Sequence, residues 1–210
     1  MGIVIEEQAA GLGEVFAFLG NSLMKPPTQE GSWAIEEGFW EEFPDFGDAE
    51  VRQAASALAA FVRELADSCD IDPVTDASVE YARLFIGPPK PAAAPWETMY
   101  RAEGTNVGFG AATYEMREVL SAAGLQLENQ NNQYEDHMGI ELLYLSVLLE
   151  RMAEGERVDP AQIADFIDAH PGGWIDGFRR AVSASAPGGY YEHLLGVAAA
   201  LLAAVRRAAA

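Results

Sequence analysis

The stretch NQYEDHMGIELLYL, residues 132–145, sets Asp136 beside His137, one of three histidines, at the mouth of a long apolar run. A carboxylate next to an imidazole suits two kinds of chemistry. It can orient and charge a general base, or it can contribute ligands to a metal. The metal reading needs more donors than the neighbourhood offers. The chain has no HExxH or CxxC motif, His170 and His193 are remote, and His137 with Glu141 at i, i+4 supplies two ligands only. Nucleophilic catalysis lacks a GxSxG elbow, and Cys69 lies among Ala and acidic residues that would not lower a thiol pKa. GTNVGFG, residues 104–110, has the glycines of a phosphate loop but follows no strand and lacks its Lys. No metal and no cofactor is expected. Two readings of Asp136-His137 stay open: a general-base pair, or a capping carboxylate followed by a hydrogen-bonded corner.

The elements around these residues are helical throughout. Leu12, Val15, Phe16, Leu19 and Leu23 recur at helical spacing until Lys25-Pro26-Pro27. Trp33, Phe39, Trp40 and Phe43 suggest a short aromatic-faced helix ending near Pro44, and Val51 to Leu65 a third helix. A shorter one is expected from Asp76 to Phe85, stopped by Gly87-Pro88-Pro89. The Pro- and Gly-rich connection from Gly87 to Gly110 is long for a compact domain, and such connections are commonly functional. A helix over Ala111 to Ala123 ends at Gly124. Residues 127–136 are polar and read as a loop or hinge between two lobes of one domain. The run from His137 to Met152 is apolar on nearly every face, so it belongs in the middle of the protein, with Asp136 at or next to its N-cap. Asp159-Pro160-Ala161-Gln162 starts a helix that runs to His170 and breaks at Pro171-Gly172-Gly173; two more cover Trp174 to Ala184 and Tyr190 to Arg207. No run alternates with the period of a strand, so the fold class is all-α.

Composition narrows the partners. Half of the 210 residues are hydrophobic, and 13 Lys+Arg against 33 Asp+Glu give a net charge of −20. Such a field repels phosphate backbones, so nucleic acid is not an expected partner, while cationic partners are attracted. The MGIVIEEQ start lacks an export signal, and LLGVAAALLAAV, residues 194–205, falls short of the ~18 residues of a membrane span. With its single Cys, the chain suits a reducing cytoplasm.

Two segments taken together carry a resemblance. YARLFIGPPKPAAAPWETMY, residues 81–100, resembles the first signature of the TorD/DmsD family, the dedicated cytoplasmic chaperones of molybdenum-cofactor enzymes. YEDHMGIE, residues 134–141, resembles that family's second signature, E-P-x-D-H-x-G, at the expected distance downstream. Tyr81, Leu84, Phe85, Gly87 and Pro88 match the first, with Trp96 and Tyr100 at its aromatic positions; Asp136, His137 and Gly139 match the second. Gln133-Tyr134 stand where the family has Glu-Pro.

The resemblance implies a TorD-like bundle of roughly eight to twelve helices, monomeric or domain-swapped, and a chaperone rather than an enzyme. It also implies the partners: the twin-arginine signal peptide and the immature catalytic subunit of a dimethyl sulfoxide or trimethylamine N-oxide reductase type of molybdoenzyme. Two guanidinium groups followed by an apolar segment call for acidic or π-rich groups beside a hydrophobic groove. On that reading Tyr81, Leu84, Phe85, Gly87, Pro88, Trp96, Tyr100, Asp136 and His137 form the peptide site. Asp136 pairs with an arginine, His137 fixes the loop, and Glu97 and Glu135 add attraction. Each has a plainer alternative: Leu84 and Phe85 as packing, Gly87-Pro88 as a helix stop, Trp96 as a loop anchor. Two other functions stand beside it, an acid/base enzyme using Asp136-His137 and an unrelated adaptor for basic amphipathic peptides.

Overall fold

Apolar residues at helical spacing dictate the architecture, and the order of elements is helical from end to end. The computed structural model describes residues 2–36, 38–68, 72–101, 108–127 and 133–210, with backbone only for Glu30, Ser32, Trp33 and Ser68. Cys69, Gly104 to Val107 and residues 128–132 of the expected hinge lie outside the described residues. The elements are α1 (Ile5–Met24), α2 (Pro27–Glu30), a 3₁₀ turn (Ser32–Ile35), α3 (Ala49–Ser68), α4 (Pro73–Tyr81), a π turn (Ala82–Ile86), α5 (Thr98–Arg101), α6 (Ala111–Ala122), α7 (Met138–Ala153), α8 (Pro160–Ala169), α9 (Pro171–Ser185) and α10 (Tyr190–Ala209). No strand occurs among the described residues, so the all-α class holds. No described helix is long and apolar enough to cross a membrane.

α7 is the central helix, as its all-round apolar sequence requires. Met138, Leu142, Leu145 and Leu149 are fully buried, and one hydrophobic cluster takes in residues from Ile5 to Ala209, on both sides of the 127–136 segment. α1 lies against α7 more extensively than any other pair of helices do. The two run antiparallel: Gly13 faces Ser146 and Glu150, while Gly20 faces Gly139 and Leu143. At the second crossing the backbones touch. A Cβ on Gly20 would lie 2.8 Å from the Gly139 carbonyl oxygen, and one on Gly139 would lie 2.7 Å from that of Gly20. Gly139 is therefore required by packing.

Several elements depart from expectation for identifiable reasons. The aromatic-faced helix over 33–44 does not form. Gly31 (φ 130°), Gly38 (φ 95°) and Phe46 (φ 51°) bend the segment into turns. Phe39, Trp40 and Phe43 still pack on Phe18 of α1, at ring separations of 5.3, 5.6 and 6.4 Å, and the Trp40 indole donates to the Ala34 carbonyl. α4 starts at Pro73 rather than Asp76, because Asp72 caps it by accepting from the Thr75 amide. α8 ends at Ala169, with the non-helical His170 as the expected break, but α9 starts at Pro171 rather than Trp174, so Pro171-Gly172-Gly173 forms its first turn, with Pro at a position that needs no amide donor. Asp159 caps α8 through the Ala161 amide, and Gly124 (φ 71°) ends α6, both as expected.

The crossing of α1 and α7 yields a test. Gly139→Ala should destabilise the fold by about 1–3 kcal/mol, the usual cost of overpacking, read as a lower urea midpoint with unchanged slope. A midpoint equal to wild type would show that the two backbones are not in contact there.

Candidate functional site

The two signature segments meet in space through the backbone. After the π turn, Gly87 (φ 93°) turns the chain so tightly that a Cβ would lie 2.5 Å from the Lys90 carbonyl. The strap then folds back, with the Ala93 amide donating to the Leu84 carbonyl. Its far end pairs with the entry to α7 in an isolated antiparallel bridge, Trp96 opposite His137. Met138 N–H donates to the Pro95 carbonyl and Glu97 N–H to that of Asp136, each at 2.9 Å. The first of these bonds satisfies an amide that the start of a buried helix leaves without an intrahelical partner.

Asp136 is fully buried and wholly engaged. One carboxylate oxygen accepts from the Thr98 amide (2.9 Å) and hydroxyl (2.6 Å), and the other from the Thr113 hydroxyl (2.9 Å). It joins α5, α6 and the α7 entry, so it is not a surface partner for an arginine. Nor is it the N-cap: His137 is, its Nδ1 accepting from the Gly139 amide at 3.0 Å. Burial pushes the His137 imidazole down to about 3, so it stays neutral and acts as an acceptor. A buried, neutral imidazole already committed to a backbone amide, beside a carboxylate committed to two threonines, is no general base. The acid/base reading is overturned; the hydrogen-bonded corner holds, with the cap supplied by His137 and Asp136 next to it rather than at it.

Tyr81, Leu84 and Phe85 are core residues. Phe85 contacts Tyr81 and Tyr191 edge-on, and the Tyr81 hydroxyl donates to the Leu23 carbonyl. Tyr100, half-buried, stacks on Trp174 at 5.3 Å and donates its hydroxyl to the Ala94 carbonyl. Pro88 is exposed at the turn. Trp96, half-buried, donates its indole N–H to Gln133 and meets the Tyr134 ring at 5.8 Å.

From Trp96 a row of rings continues outward: Tyr134 to Phe109 (5.4 Å) and Phe109 to Tyr114 (5.0 Å). Phe109, Tyr114 and Tyr134 are 36%, 54% and 38% exposed, a contiguous aromatic patch of the kind that marks an interaction surface. Arg117 ends the row, 5.7 Å above the Tyr114 ring and bonded through two nitrogens to both oxygens of Glu135. The arginine holds the Glu135 carboxyl below its usual range. The patch was missed in the sequence because its members come from three separate segments.

Alongside, α6 and α7 are tied at one end by Thr113 and Asp136 and at the other by Arg151 donating to the Ala123 carbonyl. Between them lies an apolar groove of about 140 Å³ lined by Leu120, Leu125, Leu127, Ile140, Leu143 and Val147.

Beneath the corner sits a buried polar box. Glu97 is 1% exposed, bonded to Arg101 at 2.7 Å and to His170 Nδ1 at 3.0 Å, so it adds no surface attraction. Glu141, fully buried, accepts from the Trp174 indole on one oxygen and has no donor for the other. Donor atoms of Glu97, Glu141 and His170 lie within 4.8 Å of one another, close enough for a metal. Arg101 and Trp174 already direct N–H groups at two of the carboxylate oxygens, however, which is how such oxygens are satisfied without a cation. Burial, and the neighbouring Glu97 carboxylate, raise the Glu141 pKa well above the ordinary range. A proton on Glu141 supplies the donor that is lacking. The signal in the sequence was a carboxylate inside an apolar helix, and its partners were too far along the chain to be paired with it.

Residues 48–180 match the family described as nitrate reductase delta subunit. A protein named Chaperone protein TorD from Vibrio cholerae serotype O1 (strain O395) is 30% identical, over 70% of this chain and 75% of its own length. A Tat proofreading chaperone DmsD from Salmonella typhi is 37% identical over 33% of this chain and 34% of its own. A protein from Haemophilus influenzae named Probable Tat proofreading chaperone DmsD is 26% identical over 55% and 53%.

Two measurements test this geometry. Asp136→Ala strands three donors and should cost about 2–4 kcal/mol, a fall in melting temperature of roughly 5–15 °C by calorimetry. A melting temperature within a degree of wild type would contradict the buried role. Glu141 has its folded-state pKa raised above the ordinary 4.5, so its stability contribution is complete below that pH and is lost as pH rises through the folded value. Urea midpoints for wild type should fall with rising pH across that window, and Glu141→Gln, whose amide donates as the proton did, should flatten the curve. Parallel curves would remove the proton from Glu141.

Proposed function

The chain belongs to the nitrate reductase delta subunit family, to which its resemblance to the TorD and DmsD chaperones pointed, and on that premise we propose that it is a cytoplasmic chaperone for a molybdenum-cofactor oxidoreductase. It binds the twin-arginine signal peptide and the immature enzyme, holding export back until the cofactor is inserted. Asp136 and His137 are committed to the corner and are not available for acid/base chemistry. The observation that carries the reading is the row of Trp96, Tyr134, Phe109 and Tyr114 beside the Glu135 carboxylate, on a protein that also carries an apolar groove between α6 and α7. Rings and a carboxylate suit guanidinium groups, and a groove lined by leucines suits the apolar segment that follows them. The net charge of −20 speeds the encounter with a basic leader.

This placement shifts the peptide site relative to the sequence-based set. Trp96 remains a contact residue, at the inner end of the row. Tyr81, Leu84, Phe85, Gly87, Asp136 and His137 act one layer beneath, by fixing the strap and the corner on which the row is mounted. Tyr100 braces the strap against α9.

Calorimetric titration with synthetic leaders of the molybdoenzymes in the same genome, each beside its Lys-Lys counterpart, tests the reading. Micromolar binding that favours Arg-Arg, and is weakened about tenfold or more by Trp96→Ala with the fold intact, is expected. Indifference to the Arg-Arg pair would leave a general receptor for basic peptides, and absence of binding to every leader would end the proposal.

A further inference from the structure

The Arg117 guanidinium lies over one aromatic ring of the exposed row and grips the carboxylate of Glu135 with two nitrogens, at 2.7 and 3.1 Å. That is the environment a receptor offers to a foreign arginine: a planar fork matched to a carboxylate, with a π face beside it. Both partners reach solvent, with side chains 51% and 18% exposed, so the pair is one that water and a competitor can open. Nothing about the fold demands it. Asp136 joins α6 to the corner through Thr113, and Arg151 ties the helix at its other end, so Arg117 is free to leave.

We propose that Arg117 is an internal occupant of the guanidinium subsite, and that an arginine of the bound peptide displaces it from Glu135 and Tyr114. The proposal rests on the leader-binding reading and sharpens it. Exchange of one guanidinium for another leaves the carboxylate paired in both states, so the subsite is never an empty acidic pocket. A lysine offers a point charge that cannot reproduce the two parallel bonds, so it is the poorer displacer. Evicting its own arginine lowers the affinity of every basic peptide alike, so weakly held peptides fall below useful affinity, while the preference for arginine over lysine comes from the fork matched to Glu135.

The test compares wild type with Arg117→Ala, Glu135→Gln and, as a control for the loss of one positive charge, Arg157→Ala on the exposed turn after α7. All three positions are on the surface, and circular dichroism checks that the fold is kept. Each is titrated with an Arg-Arg leader, its Lys-Lys counterpart and the bare dipeptide arginyl-arginine amide. Arg117→Ala should bind the Arg-Arg leader about three- to fivefold tighter than wild type, a factor of the size that one exposed ion pair commands. The Arg-Arg preference over Lys-Lys should stay the same or widen, because the eviction cost is shared by every peptide that enters the subsite and a Lys-Lys leader that bypasses it gains nothing. Arg157→Ala should give less than half of that gain, and Glu135→Gln should weaken binding.

Unchanged or weaker binding by Arg117→Ala, or an equal gain from Arg157→Ala, overturns the proposal while leaving leader binding in place. If no leader binds wild type, the leader-binding reading falls alone provided that the dipeptide binds Arg117→Ala more tightly than wild type. If the dipeptide shows no such difference either, the displacement falls with it.

Discussion

The start of α7 is buried, and the structure around it exists to satisfy that one constraint. A helix beginning inside a protein presents amide donors with no acceptors of their own, each costly to leave unmade. Pro95 accepts from Met138, the His137 ring from Gly139, and the backbone carbonyl of His137 from Ile140 and Glu141. To supply the Pro95 carbonyl, the chain after the π turn must reverse at Gly87 and run back across the corner. Gly87, the prolines and the Asp-His-x-Gly sequence are thus parts of one solution. Asp136 completes it by collecting donors from Thr98 and Thr113, so that α5, α6 and α7 hold a fixed relation.

That constraint separates what holds the corner from what faces solvent above it. Residues that make the sequence recognisable are mostly inside: Leu84, Phe85, Asp136 and His137 are each less than 5% exposed. The surface above them is made by Tyr134, Phe109, Tyr114 and Glu135, none of which matches a signature position. Here Tyr134 takes the place of the family's Pro, and it is the ring that links Trp96 to Phe109.

Helical periodicity made most of the fold legible, because apolar spacing and caps are local properties. Asp159, Gly124 and the Pro-Pro stop after α1 all operate within a few residues. In the segment 33–44 the aromatics have helical spacing, but Gly38 within it and Gly31 before it take positive φ, and the backbone prevails over the periodicity. The site was less legible for a reason of distance. Asp136 finds its donors 38 and 23 residues away, and Trp174 finds Glu141 at 33, separations over which one sequence carries no pairing information. From types alone, a carboxylate beside a histidine at a loop looks available, and only the fold reveals that both are already in use.

Charge behaves in the same way. A net −20 suggests a surface of open carboxylates, yet near the corner Glu97 is held by Arg101 and His170, Glu135 by Arg117 and Asp136 by threonines. The long-range field survives such pairing, since it depends on the sum, and it continues to draw cations toward the protein. Short-range recognition does not survive it unless a pair can be opened. Of these three carboxylates Glu135 alone is held by an ion pair open to water, which makes it the place where a field common to the whole molecule can become a specific contact.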